Sequence, residues 1–190
     1  MQELIPELNK NIDELSAEAI EPQYFDKENM NPDKILDVLK NLDNKMDLFK
    51  QYDSTSERYN DWQVKLYVPQ TNFDNLDECR TQLVNRHLMW HSLADWNVMQ
   101  AEWMEANFGQ IDAPMIQKVS QDYAKICKRL EGALDPNPIQ QRLQENVEKF
   151  EQAMPVVMAL RNNDLKEHHW ADIREMIGHD LDIHEEGFTL

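Results

Sequence analysis

His87, His91 and Asp95 stand four positions apart, so on a helix all three share one face and are geometrically able to hold a divalent metal. A helical metalloprotease site also needs a glutamate directly after the first histidine to activate water, and here that residue is Leu88. The stripe is therefore expected to be solvated or half-buried polar surface, with no metal assigned. Asp180, Asp182, His184 and Glu186 alternate as in a calcium loop, but Glu185 fills the sixth place, where such a loop needs glycine for its sharp turn. Cys79 and Cys127 fall within apolar helical stripes, without a histidine and acid at nucleophile spacing, so they read as packing thiols, a reduced pair as in the cytosol. Trp90, Trp96 and Trp103 could stack a ligand, yet at helical spacing they read as core. No catalytic, cofactor-binding or metal residue is assigned. The residues singled out are structural anchors: Trp90, Trp96, Trp103, Phe150, Pro155, His169 and Trp170.

The elements that position these anchors are all helical. Helix formers dominate, β-branched alternation is nearly absent, and the 4 glycines of the 190-residue chain cannot build a phosphate-cradling loop. A net charge of −17 with no Lys/Arg cluster excludes a nucleic-acid partner and disfavours an anionic membrane. No apolar run is long enough to span a bilayer, and the chain reads as soluble.

Leu4, Leu8, Ile12, Leu15 and Ala19 make one narrow stripe. Asn31-Pro32 opens a second helix of about five turns carrying Ile35, Leu39, Leu42, Met46 and Phe49. Ser54 and Glu57 offer a capping box before Tyr59, Trp62 and Leu66, unless that helix runs through to a stop at Pro69. The longest helix is expected over Asp74–Phe108, near 50 Å at about 1.5 Å per residue, with Leu76, Leu83, Trp90 and Met104 on one stripe and Met89, Leu93, Trp96 and Trp103 beside it. Asp112 caps the next helix inside an Ile111–Ile116 staple with Pro114 in its first turn, and Val119, Tyr123, Ile126 and Leu130 carry the stripe to Gly132. Asn137-Pro138 opens another through Ile139, Leu143, Val147, Phe150 and Met154, which Pro155 kinks or splits. A last helix is expected from a cap at Asp164 with Glu167, burying Leu165, His169, Ile173 and Met176 beside Trp170 and Ile177, and ending at Gly178. His168 lies beside that stripe, and a core role is expected for the histidines rather than direct chemistry. The break from Pro155 to Asn162 and Asn163 is expected to be a local joint.

The order of these features carries a resemblance. Trp90, Trp96 and Trp103, then Phe108-Gly109-Gln110-Ile111-Asp112, Phe150 through Pro155, Leu160-Arg161-Asn162, His169-Trp170 and Phe188-Thr189-Leu190 together resemble the linker-start region of dynein heavy chains. The similarity covers about residues 74–190 and is strongest from Val147 onward; residues 1–73 match only loosely, as the helical tail preceding the linker. His168 stands where the family usually carries arginine, and a neutral histidine cannot fork onto a carboxylate as arginine does.

The resemblance implies an all-α, elongated bundle of long antiparallel helices divided into a tail segment (1–73) and the truncated N-terminal part of the linker (74–190). It implies a non-catalytic piece of the lever of an ATP-driven microtubule motor, more like axonemal than cytoplasmic chains, serving ciliary beating in an axoneme. ATP would belong to the parent motor. Partners would be the remaining linker and motor ring and dynein intermediate or light chains, with microtubules reached only through the parent. The competing readings are a free-standing acidic helical adaptor and a metal-dependent bundle enzyme built on His87, His91 and Asp95. The apolar ending Phe188-Thr189-Leu190 reads as cut in mid-domain, against the adaptor.

Overall fold

The structure, a computed structural model, describes residues 3–162, 164–178 and 189–190. The acidic run Asp180–Glu186, Phe188 and Asn163 lie outside the described residues. Six α-helices and three 3-10 turns make up the described fold, which is all-α as expected; its one β feature among the described residues is an isolated antiparallel bridge between Asn107 and Thr189. Two compact units form, Met1–Ala94 with Arg129–Gln141 and Asp95–Lys128 with Arg142–Leu190. The breaks between them fall inside helices.

In the first unit, α1 (Leu4–Ala19) buries Leu8, Ile12, Leu15 and Ala19 and packs on α2 (Pro32–Lys65). Each fully buried aliphatic side chain contributes about 1.5–3 kcal/mol, which an isolated 16-residue helix could not replace from propensity alone. Leu4, at the frayed end of the stripe, is exposed. Lys45 of α2 reaches back to Glu18, its long stem covered and its ammonium paired.

Pro32 fixes the first turn of α2, where the Asn31 carbonyl accepts the N–H groups of Lys34 and Ile35 at 2.9 Å while its side chain makes no cap bond. The Ser54–Glu57 signal does not restart a helix: α2 runs unbroken for 34 residues, two more than α3, which is therefore not the longest element. Nothing between Phe49 and Tyr59 removes a backbone donor, so the helix has no reason to stop there. Its last turns bury polar Ser56 and Gln63, leaving Trp62 and Leu66 exposed. The physical reason is a polar clamp: Gln63 donates to the Thr71 hydroxyl and accepts the Thr71 N–H, both at 2.8 Å, and so ties down the turn that follows Tyr67, a non-glycine residue at φ 56°.

The segment between α1 and α2 makes two 3-10 turns, Pro22–Phe25 and Lys27–Met30, and plugs Tyr24 fully into the core. Tyr24 donates its hydroxyl to Asn41 Oδ1 at 2.5 Å, and its carbonyl accepts the Trp90 indole N–H at 3.3 Å. Burial, with Glu21 and Glu18 close by, pushes its phenol well above the ordinary range.

Helix α3 (Asp74–Glu105) ends three residues short of the expected Phe108, giving way to a 3-10 turn over Phe108–Gln110. Asp112 caps α4 (Ala113–Ala133) by accepting the Met115 N–H at 3.0 Å between buried Ile111 and Ile116. Helix α4 runs one residue past Gly132, where the expected stripe ends, and the Leu134 N–H closes on the Leu130 carbonyl at 2.9 Å. Asn137 caps α5 (Pro138–Leu160) through the Gln140 N–H at 2.9 Å. Ile139, Leu143, Val147, Phe150 and Met154 are all buried as expected. Pro155 does not split α5: it is exposed, so the carbonyl it leaves unpaired at Glu151 can be solvated while the helix continues to Leu160.

Helix α6 (Glu167–Ile177) starts three residues after Asp164 and buries only Trp170. Gly178 supplies the expected left-handed stop at φ 73°. Among the described residues no helix is long and apolar enough to cross a membrane.

Candidate functional site

Two arrangements of side chains stand out, an aromatic cluster in the second unit and a His–His–Asp group in the first. The cluster is built where α3, α4 and α5 each present a ring. Trp96 is fully buried and stands edge-on to Trp103 at 5.6 Å and 88° and to Phe150 at 5.4 Å and 89°, with Tyr123 at 5.2 Å. Trp103 and Phe150 also touch, at 5.5 Å. These edge-on pairs place positive ring edges on negative faces and add about 0.5–1.5 kcal/mol each beyond burial. The Trp96 indole N–H is satisfied inside its own helix by Gln100 Oε1 at 3.1 Å. Burial, then the Asp95 carboxylate, raises the Tyr123 pKa. With Trp96, Trp103 and Phe150 buried and Tyr123 half-buried, the cluster is a packed joint of three helices.

The remaining anchors are less uniform. Trp90 is fully buried and belongs to the first unit. Trp170 is buried and His169 half-buried, but Met176 and Ile177 of the expected stripe are exposed, so α6 has a narrow rather than a wide buried face. His169 does local work instead: its Nδ1 accepts the Lys166 N–H at 3.1 Å, while its ring lies 3.9 Å from that of exposed His168. Asp164 does not cap α6, whose N-cap is Lys166; Asn162 closes a turn ahead of it, its Oδ1 accepting the Asp164 N–H at 3.0 Å and its carbonyl the Leu165 N–H at 3.1 Å. An asparagine that can close its own turn outcompetes a cap two residues further on, so α5 ends at Leu160 and α6 begins only at Glu167.

The histidine pair expected on one helix face is present, but its acid is not Asp95. His87 and His91 of α3 both aim Nε2 at Oδ1 of Asp43 on α2, at 2.8 and 2.9 Å, and their rings lie 4.2 Å apart. The three ligand-type atoms lie within 4.8 Å of one another. Burial works to raise the Asp43 pKa and is the largest single influence, yet the hydrogen bonds from His91 and His87, together with their charge, hold its carboxyl below the usual range. Asp43 was invisible to a search along α3 because it is 44 residues from His87 in sequence. The available signal was its place beside buried Leu42 on the α2 stripe, which becomes useful only once α2 is paired with α3.

Both cysteines are buried free thiols, as expected of packing residues. Burial pushes each up to about 11, helped by Glu78 at Cys79 and by Glu148 at Cys127.

Comparison with known proteins gives this architecture a family. The family model described as dynein heavy chain, N-terminal region 2, matches residues 76–190. Human dynein axonemal heavy chain 6 is 32% identical over 174 residues, covering 91% of this chain and 4% of that protein. Human dynein axonemal heavy chain 2 is 26% identical over 124 residues (64% of this chain, 3% of that protein). The dynein-1-beta heavy chain of the flagellar inner arm I1 complex of Chlamydomonas reinhardtii is 22% identical over 123 residues (65% and 3%). The chain thus spans only 3–4% of the length of these curated relatives. A free-standing adaptor is not favoured by such matches, and with the long helices, the packed tryptophans and the Asn162 turn in view, the chain belongs to the dynein heavy chain family as a segment of its N-terminal region, of axonemal type.

Proposed function

We propose that this segment is a non-catalytic mechanical element of an axonemal dynein heavy chain, tail running into the start of the linker, and that it carries force within an ATP-driven microtubule motor of the cilium or flagellum. The observation that carries the reading is the family match over residues 76–190 falling on helices tied together by the Trp96–Trp103–Phe150 cluster. Force transmission needs elements that do not yield, and close-packed aromatic joints between long helices resist shear because any displacement opens voids. Compliance then concentrates between the end of α5 and the start of α6, where the helical ladder gives way to the turn closed by Asn162. The rest of the heavy chain, its linker and ring, is the partner of this segment. Intermediate or light chains are candidates for its exposed faces, and ATP and microtubules are engaged by other parts of the parent.

The test of the non-catalytic reading is calorimetric titration of the 190-residue chain with ATP and magnesium. No heat of binding is expected, since four scattered glycines cannot form a phosphate cradle. A micromolar site would overturn it.

A further inference from the structure

We propose that Asp43, His87 and His91 form a zinc site that staples α2 to α3. This goes beyond the mechanical reading above and does not depend on it. Each residue supplies the atom a borderline metal prefers: two imidazole Nε2 atoms, one helical turn apart on α3, and a carboxylate oxygen from α2. Both nitrogens converge on the same Oδ1, at 2.8 and 2.9 Å. A tetrahedral zinc with bonds of about 2.0–2.1 Å places its ligand atoms about 3.3 Å apart, so each nitrogen–oxygen distance has to open by about 0.5 Å, while the two nitrogens, within 4.8 Å of one another, settle to the same spacing around the ion.

Access and charge favour the same conclusion. Asp43 is half-exposed and the two histidines are each about a third exposed, which leaves a path for the ion and a fourth position for water. Among the described residues the ion pairs of Asp43 are those with His87 and His91, so no lysine or arginine has to be displaced. The net charge of −17 concentrates cations near the surface. Ligation takes one proton from each imidazole that carries it on Nε2, shifting that proton to Nδ1 or to solvent, and replaces two hydrogen bonds to the carboxylate with three metal bonds. Three protein ligands leave the fourth position to water, and with Leu88 in place of the glutamate that would activate that water the site is assigned as a clip between two helices. The clip would join residues 44 and 48 positions apart in the chain, across the contact between two long helices.

The test uses the 190-residue chain prepared without a histidine tag and stripped with a chelator. Calorimetry with zinc chloride should show one ion per chain at micromolar affinity or tighter, and saturation should raise the melting temperature by about 5–10 °C. Asp43→Asn, which keeps shape and a hydrogen-bonding oxygen, should weaken binding by about 10–100-fold, and the double variant His87→Gln/His91→Gln should remove the stoichiometric ion, each with unchanged far-ultraviolet helicity. Cobalt(II) added to the unmodified chain should give the intense visible bands of four-coordinate cobalt. The proposal is overturned if the double variant binds zinc as the unmodified chain does, which would place the ion elsewhere on the acidic surface. It is equally overturned if the unmodified chain takes up no zinc, or if cobalt shows only the pale spectrum of its aquo ion.

Discussion

Replacing Trp96 with alanine is the sharpest test of whether the aromatic cluster holds the second unit together. Trp96 is fully buried and meets Trp103, Tyr123 and Phe150 within 5.6 Å. Its side chain removes about 200 Å² from water, worth about 5 kcal/mol at 25 cal/mol per Å². Residual compactness of the unfolded chain lowers that to about 3–4.5 kcal/mol. The edge-on contacts and the cavity left behind restore part of the difference, so the expected loss is about 4 kcal/mol, within the usual range for truncating a buried tryptophan. With a urea slope of about 2 kcal/mol per molar, the midpoint should fall by about 2 M. Trp62→Ala is the matched control, because Trp62 is 43% exposed and rests against Tyr59 at 5.6 Å; it should cost less than about 1 kcal/mol. Urea unfolding followed by tryptophan fluorescence and by helicity measures both. Equal midpoint shifts for the two variants would refute the cluster as the organising contact.

Trp170→Ala should destabilise α6 by about 3 kcal/mol, since Trp170 is its one buried residue, whereas His168→Ala should cost under about 1 kcal/mol; native-state hydrogen exchange of α6 amides reads both, and equal effects would reverse the face assignment. Amides of Arg161, Asp164 and Leu165 should exchange well before those of Leu83–Trp103, and matching protection would make the Asn162 turn a rigid corner. Cys79 and Cys127, pushed up to about 11, should react with a thiol probe at pH 8 only as fast as the chain unfolds; prompt labelling of the folded chain would contradict their burial. Because burial favours the neutral thiol, the stability these groups lend is fully present below the ordinary thiol pKa and is lost as pH climbs from there through about 11, so alkaline unfolding should sharpen in that window.

Where local chemistry decides structure, the sequence was readable. Asp112 and Asn137 cap because their short side chains reach N–H groups of their own first turns, and Gly178 takes φ 73° because its lack of a Cβ makes that conformation free. The α1 and α5 stripes follow from period alone. What could not be read depends on which helix lies against which. Tyr24 sits in a segment without helical period, and only the approach of Trp90 and Asn41 makes that position a core one. Leu66 and Met176 continue their stripes past the point where any neighbour remains to cover them. Two of the three members of the His–His–Asp group were visible as a spacing of four, but the acid was sought on the same helix because spacing carries no information about the next one.

The central claim, that this segment transmits force without taking part in chemistry, is tested most directly in an intact axonemal heavy chain carrying Asn162→Ala. Removing the side chain that accepts the Asp164 N–H favours continued helix through the turn and stiffens the break between α5 and α6. Microtubule gliding velocity and basal ATP turnover would be measured on the same preparation. The account predicts slower gliding with ATP turnover retained; a variant in which turnover falls in proportion to gliding, or in which neither changes, would contradict it.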